Sequence, residues 1–285
     1  MSNLAEQAAV MVGNRPVYTF SVYAGDKPIK DFGEGNIKVQ LPYTLLSGED
    51  ANAVILYTID GDSIDIMPYC IYDKDLEALI FKIGYLPSSS YAVGYNKVEF
   101  KDIDLNWAKD FITYLSSRNI IIGYEGMYNP SSNITRAEFV KILATIAGAD
   151  LEEYNSSSFI DIDEGDWYLK YAEWAAAKGI TLGKGSKDTF KPNHYITREE
   201  IATMIVRFAK EINYTLPKKI KLSSFADQSN ISSYAQEAAA IVQQAGIITG
   251  KEIAGGTNKY FAPKDNADRA EIAKMLAVFM MTMAE

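Results

Sequence analysis

The pattern of hydrophobic and polar positions changes near Phe100. In residues 16–97 apolar and polar residues alternate in short runs, which is the period of a half-buried β-strand. Asp60-Gly61 separates two of these runs and is typical of a two-residue hairpin turn. We therefore expect a small antiparallel sandwich or barrel of five to seven strands. The predicted strands cover residues 17–23, 37–41, 53–59, 64–71, 79–83 and 91–95.

Beyond Phe100 the apolar spacing becomes helical. Ile201, Ile205, Phe208 and Ile212 recur at i, i+4, i+7 and i+11, which places them on one face of a helix. The fold class expected is therefore an α+β chain of several domains, an all-β sandwich-like module followed by an all-α region. The predicted helices lie near residues 105–118, 135–148, 166–178, 197–213, 231–245 and 268–284.

The helical region is one pattern that occurs three times. Each copy contains aromatic-x-Asp, then an aromatic residue, a glycine after an amphipathic stretch, aromatic-x-Pro, and a motif centred on arginine. Tandem units of this kind bury their apolar faces on their neighbours. The predicted divisions are a lead segment at 1–15, a β module at 16–97, and repeats at 98–155, 156–222 and 223–285.

The arginine motif has two interpretations. Its flanking residues form capping boxes that start a helix, namely Thr135 with Glu138, Thr197 with Glu200, and Asp268 with Glu271. The arginine itself lies at the positive end of the helix dipole, where a cation is disfavoured. Either an anionic ligand binds there, or each arginine pairs with an acidic loop residue of the adjacent repeat. Three arginines in register favour the ligand.

This ordered set, from about Val98 to Ala284, resembles the S-layer homology repeat, which anchors bacterial surface proteins to the cell wall. The resemblance implies a pseudo-threefold helical spindle with grooves between neighbouring repeats. It also implies binding of a secondary cell-wall polysaccharide, often through a terminal pyruvylated N-acetylmannosamine that supplies a carboxylate. The groove residues it implies are Arg136, Arg198, Arg269, Asp102, Asp161, Asp227, Trp107, Trp167, Tyr234, Gly123, Gly183 and Gly250.

Several of these residues also have plain structural interpretations. The aspartates suit turns or helix caps, the tryptophans suit a half-buried core position, and the glycines suit C-caps or turns with positive φ. The third copy departs from the other two, because Tyr234 replaces Trp and Asp268 replaces Thr. A carboxylate at position 268 would repel an anion, so the groove that uses Arg269 is expected to be the weakest.

Composition narrows the function further. The net charge of −9 and pI of about 4.9 exclude a general basic field for nucleic acid. An anionic polymer must then be bound by a few well-placed cations. The sequence has no apolar run of membrane-spanning length, and its start resembles no secretory signal. Because the resemblance implies an extracellular protein of the cell wall or S-layer, we expect a fragment of a longer precursor.

No catalytic, metal or cofactor site is expected. The acids Asp60, Asp62 and Asp65 do not form a glycosidase pair, and the acidic stretch 161–166 lacks a calcium-loop pattern. His194 is expected at the surface and Cys70 in the core. The leading hypothesis is a non-catalytic anchor. The alternatives are the C-terminal part of a wall-anchored hydrolase, or an adhesin whose β module binds protein or glycan.

Overall fold

The structure is a computed structural model that describes residues 11–33, 35–60, 63–86, 90–185, 188–252 and 259–285. The chain forms two compact units. One unit contains Met1–Tyr128 and Phe279–Glu285, and the other contains Asn129–Val278. The predicted order of a β-rich part followed by a helical part is confirmed.

Three antiparallel sheets are formed by the described residues of the β-rich part. The largest has the strand order β1-β9-β5-β6, a second has the order β4-β8-β7, and β2 pairs with β3. The strands are β1 Val17–Tyr18, β2 Val22–Ala24, β3 Lys27–Ile29, β4 Ile37–Pro42, β5 Val54–Asp60, β6 Ser63–Ile66, β7 Cys70–Asp73, β8 Ala78–Ile83 and β9 Ser90–Tyr95. The predicted sandwich is a finer arrangement than these sheets establish, and it stays a prediction.

Strand β5 explains why part of the pattern is continuously apolar rather than alternating. Val54 and Leu56 pack into a core with Phe81 of the second sheet, whereas Ile55 and Tyr57 pack on the opposite face. A strand that is covered on both faces needs apolar residues at every position. The two larger sheets therefore share one hydrophobic core.

Two of the predicted strands are divided in the structure. Residues 17–23 form β1 and β2, which pair with different strands. Residues 64–71 form β6 and β7, which belong to different sheets. Pro68 lies in the second gap, and a proline has no N–H to donate to a ladder. Asp60 pairs with Ser63 across the predicted hairpin, but Gly61 lies outside the described residues.

A buried arginine joins the sheets to the first helix of the repeats. Arg118 donates to the carbonyl oxygens of Val54 at 3.1 Å and Cys70 at 2.8 Å, and to that of Asn52 at 3.2 Å. Its guanidinium also lies 3.7 Å from the ring centroid of Tyr114. These bonds satisfy strand-end carbonyls that would otherwise be buried without partners.

The six predicted helices are all present among the described residues. The helices that follow the aromatic-x-Asp motifs begin three to five residues later than predicted, because turns precede them. In one such turn, the side chain of Asn106 accepts from the amide of Ala108 at 2.9 Å. The helices are α1 Lys109–Ser117, α2 Arg136–Ala147, α3 Leu169–Ala177, α4 Arg198–Glu211, α5 Gln236–Gln244 and α6 Arg269–Ala284.

The segments before α2, α4 and α6 bond to one another in a closed cycle. The amide of Ile134 donates to Ala267, that of Ala267 to Ile196, and that of Ile196 to Ile134. The backbone amides of the first helical residues also bond to another repeat. The amide of Arg136 donates to the His194 carbonyl at 2.9 Å, and that of Arg269 donates to the Ser132 carbonyl at 2.9 Å. Each repeat thus meets both of the others at its helix start.

Candidate ligand-binding site

Capping boxes start the helices that carry the arginines, as predicted. The hydroxyl of Thr135 accepts from the amide of Glu138 at 3.2 Å, and Glu138 accepts in return from the amide of Thr135 at 2.7 Å. Thr197 and Glu200 form the same box at the start of α4. At the start of α6, Asp268 accepts from the amide of Glu271 at 2.7 Å. These caps fix the direction of the arginine at the first helical position.

Arg136 and Arg198 lie in closed ion pairs with the next repeat. Arg136 is 1% exposed and places Nη1 3.0 Å from Oε1 of Glu200. Arg198 is 3% exposed and places Nη1 2.9 Å from Oε1 of Glu271. These two arginines thus pair with an acidic residue of the adjacent repeat, as the second interpretation expected. The partner, however, is the capping-box glutamate rather than a loop residue. The role of these arginines in binding a ligand stays a prediction.

Each of these glutamates also pairs with a lysine. Lys184 Nζ lies 3.1 Å from Glu200, and Lys251 Nζ lies 3.4 Å from Glu271. Both lysines are partly exposed, whereas the glutamates are mostly buried. The sequence analysis missed these lysines. The available signal was that both directly follow the repeat glycine.

Electrostatics keep these clusters charged. Burial raises the pKa of Glu200, but Arg136, the Thr197 amide and Lys184 outweigh it, so the net pKa is lowered. Burial lowers the pKa of Arg198, against the opposing fields of Glu271, Asp265 and Asp268. The field of Asp268 thus raises the pKa of Arg198. The weaker binding expected at the groove that uses Arg269 stays a prediction.

The Arg136 cluster opens into a cleft of about 470 Å³. Because the described lining includes four cations and two carboxylates, the cleft has a surplus of two positive charges in a chain of net charge −9. The residues that line it include Arg136, Thr181, Gly183, Lys184, Glu199, Glu200, Thr203, Met204, Arg207, Tyr234 and Lys264. An anionic ligand is the electrostatic complement of this cleft.

One wall of the cleft is fixed by a network that the sequence analysis did not find. The buried carboxylate of Glu199 accepts from the Ser232 amide at 3.0 Å and from the Tyr234 hydroxyl at 3.0 Å, and it pairs with Lys264. The other two copies have Ala137 and Ala270 at this position. The available signal was this single departure, a carboxylate in place of a methyl group at a helix start.

The three predicted aspartates bind backbone amides. Asp161 accepts from Phe190 and Lys191, each at 2.8 Å, and Asp227 accepts from Phe261 at 2.8 Å. Asp102 accepts from the Tyr128 amide at 2.8 Å. The Phe190 carbonyl in turn accepts from Nε of Arg136 at 2.8 Å. Asp161 therefore positions the segment that holds the arginine, and direct contact of these aspartates with a ligand stays a prediction.

Gly123 and Gly250 leave room for the first aromatic residue of their copies. A Cβ added to Gly123 would lie 2.4 Å from the Phe100 ring, and one added to Gly250 would lie 2.9 Å from Phe225. Gly183 and Gly250 also have positive φ values of 82° and 89°. The structural interpretation of these glycines is thus supported.

The predicted aromatic surfaces are half exposed. Trp107, Trp167 and Tyr234 expose 60%, 54% and 53% of their surfaces. Lys141 Nζ lies 5.4 Å from the ring centroid of Trp167. Trp174, in contrast, is buried.

Other candidate chemistry is limited. Within the described residues, no group of three or more His, Cys, Asp or Glu side chains is arranged to hold a metal ion. His194 is exposed and Cys70 is fully buried, as predicted, and burial raises the pKa of the Cys70 thiol to about 12. None of the described helices has both the length and the apolar character needed to cross a membrane.

The helices and their linked starts define a tandem-repeat protein with a cationic cleft at Arg136. The sequence profile of the S-layer homology domain matches residues 99–140, 158–202 and 224–273. The chain therefore belongs to the S-layer homology family, as the motif analysis predicted.

Relatives with assigned names include surface proteins and hydrolases. The chain is 36% identical over 189 residues to an amylopullulanase of Thermoanaerobacterium thermosulfurigenes, covering 66% of this chain and 10% of that protein. It is 28% identical over 183 residues to the S-layer protein Sap of Bacillus anthracis, covering 62% and 21%. It is 33% identical over 138 residues to a cellulosome-anchoring protein of Acetivibrio thermocellus, covering 46% and 30%. The chain thus spans less than a third of each relative.

Proposed function

We propose that this chain is a non-catalytic anchor that holds a bacterial surface protein on the cell wall. Its ligand is an anionic secondary cell-wall polysaccharide, and its location is extracellular. Membership of the S-layer homology family supports this function. The relatives named as S-layer and cellulosome-anchoring proteins point in the same direction.

The observation that carries the proposal is the shared glutamate in the Arg136 cleft. Glu200 neutralises only one of its two cations, Arg136 and Lys184. The positive charge that remains lies beside the exposed ring of Tyr234. A sugar carboxylate, such as that of a pyruvate ketal, would accept from Lys184 while the sugar face packs on the ring. The Arg198, Glu271 and Lys251 cluster is related but has no unneutralised cation among the described residues, because Lys251 also pairs with Asp265 at 3.1 Å.

The overall architecture proposed for the repeats is a pseudo-threefold spindle. The cyclic hydrogen bonds among Ile134, Ile196 and Ala267 support it, because a closed ring of three equivalent contacts is what threefold symmetry requires. Arg269 occupies the equivalent place in the third copy. We propose that it contributes to a third groove of lower affinity.

The β-rich part is proposed to be a sandwich-like spacer rather than a second binding domain. Tyr43 and Tyr57 are buried, and Tyr18 and Tyr72 are partly buried, so these rings contribute to packing. Tyr23 is exposed on a two-stranded sheet. The hydrolase relatives align over a tenth to a fifth of their own lengths, so catalysis is not assigned to this chain.

Co-sedimentation with isolated bacterial walls tests the proposed function. The purified chain should pellet with walls that retain their secondary polysaccharide, and a soluble pyruvylated N-acetylmannosamine derivative should release it. A chain that stays in the supernatant with intact walls would refute the anchor.

A further inference from the structure

Arg207 is a cation in the Arg136 cleft that has no counter-ion. It lies on α4 and is half buried. Within the part of the chain that the structure describes, it forms no hydrogen bond or ion pair, and Tyr234 is the one titratable group whose field reaches it. Burial lowers the pKa of Arg207 without a carboxylate to offset the cost. A half-buried guanidinium in this state favours an anion from outside the protein.

The geometry of α4 separates Arg207 from the first cation cluster. Glu200, Thr203, Met204 and Arg207 follow one another at i, i+3, i+4 and i+7, so they lie along one face of the helix and all line the cleft. Seven residues of helix correspond to about 10 Å. The cleft therefore has a positive group near each end of this face, with Thr203 and Met204 between them.

The other two repeats lack this second cation. The residue nine positions after the motif arginine is Thr145 in the first copy and Val278 in the third. The structure of the repeat therefore does not require an arginine at this position. Lys264 does not replace Arg207 in this role, because it is paired with Glu199.

We propose that the Arg136 cleft binds two anionic groups of one wall polysaccharide, spaced about 10 Å apart, with Arg207 as the second anion site. This inference rests on the proposed function. The first acidic group binds at Lys184 and Arg136, and the second binds at Arg207. The ligand class is an oligosaccharide with acidic substituents on two sugar units. Arg207 thereby selects for polymers with repeated charge over those with a single terminal charge.

The test uses oligosaccharides released from the wall polymer by enzymatic digestion, which leaves acid-labile substituents in place, and separated by anion exchange into singly and doubly charged fractions. Calorimetric titration of the full chain should show about tenfold tighter binding of the doubly charged fraction, the effect of one added charge-assisted contact. Arg207→Gln should remove this preference, because it should weaken binding of the doubly charged fraction by about tenfold more than binding of the singly charged fraction. Arg207→Lys should retain most of it, and Lys210→Gln, on the same helix outside the cleft, should behave as wild type.

The outcomes separate the two proposals. If the wild-type chain binds and Arg207→Gln binds the doubly charged fraction equally well, the second anion site is wrong and the anchor stands. If the wild-type chain binds neither fraction, both are wrong. An equal loss of affinity for both fractions in Arg207→Gln, with an unchanged melting temperature, would also contradict a site for the second charge.

Discussion

Arg136 Nη1 lies 3.0 Å from Glu200 Oε1, so the arginine that opens a helix in one repeat neutralises the capping glutamate of the next. Arg198 and Glu271 repeat the relationship at 2.9 Å. One carboxylate thus caps its own helix, pairs with a buried arginine and accepts a lysine from the cleft. Folding and ligand recognition share the same side chains, which affects how each must be tested.

Removal of the arginine should cost folding stability before it affects binding. Arg136→Met leaves Glu200 without its buried partner and the Phe190 carbonyl without a donor, so the free energy of unfolding should fall by about 3–5 kcal/mol. Urea denaturation measures this. Lys178→Met is the control, since its pair with Glu211 at 3.2 Å is half exposed and should contribute less than about 1 kcal/mol. Equal losses in the two variants would contradict a buried pair.

Acid should weaken the repeats through Glu200. Arg136, the Thr197 amide and Lys184 overcome the effect of burial and lower the pKa of this carboxyl below its ordinary value of 4.5. The folded state therefore binds the proton less tightly than the unfolded state. The stabilisation is complete above the ordinary value and is lost as the pH falls through the lowered one. Urea midpoints measured from about pH 6 to pH 3 should fall less steeply in Glu200→Gln than in the wild type.

The glycine that contacts Phe100 should not tolerate a side chain. A Cβ at Gly123 would meet the Met127 carbonyl and the Phe100 ring, each at 2.4 Å, so Gly123→Ala should lower stability by about 1–3 kcal/mol. Gly165 is the matched control, because nothing lies within 4 Å of its added Cβ. Gly165→Ala should leave stability unchanged or raise it by up to ~1 kcal/mol. Thermal unfolding of both variants measures the difference.

Asp268 should cost stability at neutral pH. Burial raises its pKa, so the folded state favours the protonated form and the charged form is penalised. Asp268→Thr keeps a capping oxygen and removes the charge, so it should raise the melting temperature at pH 7. The gain should vanish as the pH falls below the ordinary carboxyl value of 3.8. A gain that is independent of pH would point to a cause other than this charge.

Local patterns predicted much of the fold, because their causes are local. The capping boxes at Thr135 and Thr197 marked the starts of α2 and α4, and the apolar periods marked strands and helices. The division at Pro68 was missed because apolar and aromatic residues continue on both sides of it. For the aspartates and the aromatic residues, the sequence left both a structural and a ligand-binding interpretation open.

The partners of the arginines could not be read from the sequence. Repeat spacing shows that three units pack together, but it does not show which helix start faces which loop. The Arg136 pair with Glu200 spans 64 residues and depends on that packing. Arg207 could be recognised only as a departure from Thr145 and Val278. Its lack of a counter-ion is a property of the folded chain.

Binding of Lys184→Gln/Lys251→Gln to isolated walls tests the anchor most directly. Lys184 lines the Arg136 cleft and both lysines are partly exposed, so their replacement removes positive charge beside Glu200 and Glu271 while the buried Arg136 and Arg198 pairs remain. The wild-type chain and a Lys178→Gln control should pellet with walls that retain their polysaccharide, and the double variant should bind at least about tenfold more weakly. Equal binding of the double variant and the wild type, or equal binding of the wild type to walls stripped of polysaccharide, would contradict the account.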